Sequence, residues 1–86
     1  MAGAAYDHRN EPFECVRTFW VMVGSSKVPV TCALYRMVAG GLELRAGYGE
    51  RDALLRQPVV APVAAETLAA VWKFAAEAKG FREAGD

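Results

Sequence analysis

Few residues of this 86-residue chain could act as nucleophiles, bases or metal ligands: Cys15, Cys32, His8, Ser25 and Ser26. A serine or cysteine nucleophile needs a base held beside it, itself oriented by a third group. His8, the single histidine, lies in a stretch of small and polar residues that reads as a loose tail over residues 1–12. Ser25 and Ser26 fall in Gly24-Ser25-Ser26-Lys27, which has turn chemistry. The acidic residues fall at turns, in the tails or on the wet face of one helix. None interrupts an apolar run, so none is desolvated enough to be tuned as an acid or base. No Cys/His cluster has zinc spacing. Gly47-Tyr48-Gly49 is a glycine fragment without the following helix and lysine of a phosphate loop. The inventory predicts no catalytic, cofactor-binding or metal-binding residue, and so no enzyme.

The elements that must position any other function are set by patterning. Ten Lys and Arg against ten Asp and Glu give a formal net charge of zero, and 53% of the residues are hydrophobic. That excludes a disordered charged tail protein and weakens a nucleic-acid reading, which wants a basic domain. With no basic region leading into an apolar stretch, and no run near the roughly 18 apolar residues of a membrane span, the expectation is a soluble cytoplasmic protein.

Phe13 to Val23 reads as a first strand, Val28 to Val38 as a second, and Leu42 to Tyr48 as a third that alternates cleanly, with Glu43 and Arg45 facing water. Leu54 to Val60 is a candidate fourth strand, and because Pro58 cannot donate to a ladder it must be either an edge strand or irregular. Pro62 opens a helix whose stripe is Ala64, Leu68, Val71, Trp72, Ala75 and Lys79, with Ala69 largely opposite. Gly80 follows as the residue past its end, and Phe81 takes the apolar contact of a Schellman motif. The fold class is therefore α+β: an antiparallel meander of three or four strands with one C-terminal amphipathic helix packed on one sheet face. Residues 13–81 form this domain and 82–86 a C-terminal tail.

The first strand reads as apolar on both faces: Cys15, Phe19, Val21 and Val23 on one, Val16, Trp20 and Met22 on the other. Pairing Val23 with Val28 sets Cys32 opposite Phe19 and leaves Cys15 about 13 Å further along. A disulfide needs Cα atoms within about 7 Å, so two free thiols are expected. In the second hairpin a two-residue Ala39-Gly40 loop pairs Glu43 with Arg36 and puts Leu42, Leu44 and Tyr48 on the face of Trp20, Met22 and Tyr35. A three-residue loop ending in a glycine bulge shifts the parity and moves Leu42 and Leu44 to the face of Phe19, Val30 and Leu34. The two-residue loop is favoured for its unlike charges.

Either register leaves an apolar aromatic surface over. From Thr18 to Val23 the first strand also lacks the Lys, Pro or inward charge that blunts an edge. The expected function is a small protein-interaction module, an adaptor or an inhibitor that occludes a partner's surface. It would dimerise through the sheet or bind another protein, using Phe19, Trp20, Val21, Met22, Tyr35 and Tyr48. The alternative is a single-stranded nucleic-acid binder in which Arg17, Arg36, Arg45 and Arg51 stand beside the aromatics. The element order is similar in outline to the Whirly and Pur-type single-strand-binding modules, in order alone.

Overall fold

The computed structural model describes residues 11–84, in which five strands and one helix follow one another. They are β1 (Pro12–Val23), β2 (Val30–Met37), β3 (Leu42–Gly49), β4 (Asp52–Val59), α1 (Pro62–Ala78) and β5 (Arg82–Glu83). The strands form one antiparallel sheet in the order β4-β3-β2-β1-β5, and α1 lies on one of its faces. The α+β class, the meander and the edge position of the Pro58 strand agree with the sequence reading. Of the expected N-terminal tail, residues 1–10, His8 among them, lie outside the described residues. Glu11 and Pro12 are tied in: the Val38 N–H donates to the Glu11 carbonyl at 2.8 Å, and Pro12 is buried.

β1 departs furthest from a regular strand. Its pairing with β2 runs Trp20↔Cys32, Thr18↔Ala33, Arg17↔Leu34, Cys15↔Tyr35, Glu14↔Arg36 and Pro12↔Met37. Register shifts at three points leave Phe19, Val16 and Phe13 without partners in the ladder. Each bulge inserts one residue and reverses the inward–outward alternation beyond it. The run is therefore apolar on both faces because its parity changes along its length. The pairing of Cys32 with Phe19 is corrected to Trp20, and both cysteines are free.

The β2–β3 hairpin takes the less favoured register. Gly40 occupies a left-handed conformation with φ of 102°, its N–H donates to the Met37 carbonyl at 2.9 Å, and Leu34 stands opposite Leu44. This is the three-residue loop with a glycine bulge. It brings Leu44 and Ala46 beside Val30, Cys32 and Leu34, and together with Trp20 and Met22 they form the core under the helix. Tyr35 and Met37 fall on the opposite face with Ala33, as a separate small cluster. The unlike-charge pairing that favoured the shorter loop is absent, since Glu43 stands opposite Tyr35. Glu43 and Arg45 do not face water: they are 8% and 6% exposed and bonded to each other.

The helix presents a face rotated by about one residue from the expected stripe. Ala65 and Ala69 are buried, with Leu68, Trp72 and Ala76 packed partly buried beside them. Val71, expected in the core, is 56% exposed. Two small residues at the contact let the helix approach closely enough for the Trp20 indole N–H to donate to the Ala69 carbonyl at 2.9 Å. The helix ends as expected. With Gly80 at φ of 97°, its N–H bonds the Glu77 carbonyl and the Phe81 N–H bonds the Ala76 carbonyl, which is the Schellman pattern. Phe81 packs on the core and closely against Gly24. The chain then adds β5 rather than a tail: Glu83 and Arg82 pair with Met22 and Val23, and the Ala84 N–H reaches the Val21 carbonyl at 2.9 Å.

Candidate functional site

The six residues expected to form an interaction surface are not brought together. Trp20 and Met22 are in the core beneath α1, and Phe19 is partly buried against that core. Val21 lies opposite Thr31 on the face away from the helix, its carbonyl engaged by Ala84. Tyr35 is buried on that same face. Its hydroxyl is held above its ordinary pKa, first by burial and then by the nearby Cys15 and Glu50. Tyr48 alone stands well exposed, at the far end of β3. The strand edge expected to seek a partner is occupied over its last residues by β5.

The four candidate arginines are each engaged by a carboxylate. Arg17 Nη1 lies 2.7 Å from Glu66 Oε2 on the helix, with its guanidinium 4.6 Å over the Phe19 ring. Arg36 meets Glu14 at 2.9 Å across β1 and β2. Arg51 meets Glu11 at 2.9 Å. Arg45 is buried against Glu43 at 2.8 Å and donates through Nη1 to the Glu50 carbonyl at 2.6 Å. A carboxylate that already offsets the charge of a guanidinium weakens its draw on a phosphate.

Exposed apolar residues occur on the strands and turns, among them Phe13, Val28, Val38, Leu54 and Leu55, and a further set falls on the helix. Arg17–Glu66 and Lys73–Glu83 contacts tie one flank of α1 to the β1/β5 side of the sheet. With Ala65, Ala69 and Ala76 turned inward, the 3.6-residue period puts Val63, Thr67, Ala70, Phe74 and Ala78 on the outward line, with Val71 beside it. Phe74 is 75% exposed and Val63 69%, and Val60 just ahead of the helix is exposed almost completely. A helix apolar on both its inner and outer lines is ordinarily covered on both. The signal was present in the sequence: apolar residues occur nearly all round this helix, and the only charges within it are Glu66, Lys73 and Glu77, which share one flank.

Among the described residues no group of His, Cys, Asp and Glu could hold a metal ion, and no helix is long and apolar enough to cross a membrane. Cys32 is buried, which pushes its thiol up to about 12. Comparison with protein-family models, with curated proteins and with solved structures found no match to this chain.

Proposed function

We propose that this protein is a non-enzymatic interaction module that self-associates through the outer line of α1, and that it acts as an adaptor or inhibitor by occluding a surface. The observation that carries the reading is the exposure of Phe74 on the same helical line as Val63, with Val71 beside them. The line is self-complementary. Two copies of α1 laid antiparallel about a twofold axis between Ala70 and Val71 would set Phe74 against Thr67, Val63 against Ala78 and Val71 against Ala70. Large residues then meet small ones at every level, as an isologous interface requires. The helix is about 26 Å long and about 10 Å wide, so the line covers roughly 260 Å² in projection, well under the ~800 Å² per partner of a standard interface. The dimer is accordingly weak and forms at high concentration.

Sedimentation equilibrium over a wide concentration range tests this. The parent should show reversible dimerisation. Phe74→Glu should be monomeric throughout with an unchanged far-ultraviolet spectrum. A parent that stays monomeric at millimolar concentration, or a Phe74→Glu variant that dimerises as the parent does, overturns the reading.

A further inference from the structure

One end of the molecule carries cations that have no carboxylate partner among the described residues. Among the described residues Arg17, Arg36, Arg45, Arg51 and Lys73 each have a carboxylate within ion-pair distance. Lys27 and Arg82 have none. These two line the same open cleft, of about 550 Å³, whose other walls are Val23, Gly24, Ser25 and Gly80. Lys79, also without a carboxylate partner among the described residues, lies one residue from that wall. Positive charge without a carboxylate partner among the described residues thus gathers at the β1–β2 turn and the adjacent β5 strand.

Three further features fit an anion there. The helix C-terminus would ordinarily repel one, but the Ala76 and Glu77 carbonyls are taken up by the Phe81 and Gly80 N–H groups at 3.1 and 3.0 Å. Glu83, the nearest acid on β5, is held by Lys73 at 2.9 Å. In addition, Lys27 adopts a left-handed backbone with φ of 66°, the single non-glycine residue among those described to do so. Glycine takes that conformation without strain. A lysine kept in a strained turn beside a cleft suggests a use for its ammonium.

We propose that this cleft binds a phosphate group carried on a small organic molecule, with Lys27 and Arg82 as its cationic contacts and the Ser25 hydroxyl as a further donor. The cleft is within the roughly 300–1,000 Å³ typical of small-molecule sites and larger than an inorganic ion needs. The site is distinct from the helix line, so either can fail without the other.

The test is an amide-resolved NMR titration of the full chain with AMP and, separately, with adenosine and with oligothymidylate. AMP should shift the Gly24, Ser25 and Gly80 amides and adenosine should not. The double variant Lys27→Gln, Arg82→Gln should weaken AMP binding at least about tenfold, and Lys79→Gln should leave it within about twofold. Equal response to adenosine and AMP, unchanged affinity in the double variant, or an equal loss in Lys79→Gln overturns the proposal. Silence towards AMP with steeply salt-dependent binding of oligothymidylate also overturns it, and would assign the cations to a nucleic-acid backbone.

Discussion

Removing Glu43 tests whether the charges on the face away from the helix are truly inside. Its carboxylate and the Arg45 guanidinium have side chains only 10% and 6% exposed and meet at 2.8 Å. Truncation to alanine leaves a buried guanidinium whose remaining bond is to the Glu50 carbonyl. Stripping one partner from a buried pair costs about 3–5 kcal/mol, because the other charge stays desolvated. A domain of this size holds roughly 4–13 kcal/mol in total, so the loss removes a large share of its stability. Urea unfolding followed by tryptophan fluorescence should show the midpoint of Glu43→Ala falling by roughly 2 M, given a slope of about 2 kcal/mol per molar. Arg45→Met should lose a comparable amount by stranding the carboxylate. The double variant Glu43→Leu, Arg45→Met strands neither charge and should return to within about 1 kcal/mol of the parent. If each single variant costs less than about 1 kcal/mol, the pair behaves as a solvated surface pair. If the double variant loses the sum of the singles, the charges are not coupled. Either result sinks the argument.

Two other outcomes follow from close packing. A Cβ on Gly47 would stand 2.6 Å from the Ala53 Cα and closer still to the Asp52 carbonyl oxygen, all backbone that cannot swing aside. Gly47→Ala should therefore cost about 1–3 kcal/mol and speed amide exchange along β4, and protection as slow as the parent's would contradict it. In the folded chain a thiol reagent should modify exposed Cys15 and spare buried Cys32, whereas both should react in denaturant. Because burial raises the Cys32 thiol from 9.0 to about 12, the unfolded chain loses its proton first, so this residue's contribution holds below about pH 9 and is lost as pH rises towards 12. Cys32→Ala should flatten that alkaline decline, and an identical decline in the variant would refute the assignment.

The sequence was readable where one local rule governed each element. Pro62, Gly80 and Phe81 marked both ends of the helix, Pro58 kept the fourth strand out of the sheet's interior, and Gly40 allowed the bulged loop without requiring it. It was opaque where parity decided. Three unpaired residues at Phe13, Val16 and Phe19 change the face count of β1, and a period-two reading cannot see them. The second hairpin then turned on one loop residue, and the choice that paired unlike charges lost to the one that put Leu34 beside Leu44 in the core. That single step also took Tyr35 away from Trp20, dissolving the expected aromatic face. The rotated helix had a similar cause. Alanines count little on a hydrophobicity scale, yet Ala65 and Ala69 make the contact because small side chains let the helix lie close.

Among the described residues every long ladder in the sheet joins neighbours in the chain, and the one pairing between distant stretches is the two-residue contact of β5 with Met22 and Val23. Such a short seam has little to hold it beyond its own backbone bonds, the partly exposed Lys73–Glu83 pair and the Phe81 contact, so it opens at a lower free energy than the meander beside it. Lys27 belongs to the turn on one side of that seam and Arg82 to the strand on the other. A bound anion that touched both would stitch the seam shut, and its binding energy would become local stability at the end of the chain. Occupancy of the cleft would then be written into the opening rate of the strand that closes the edge of the sheet.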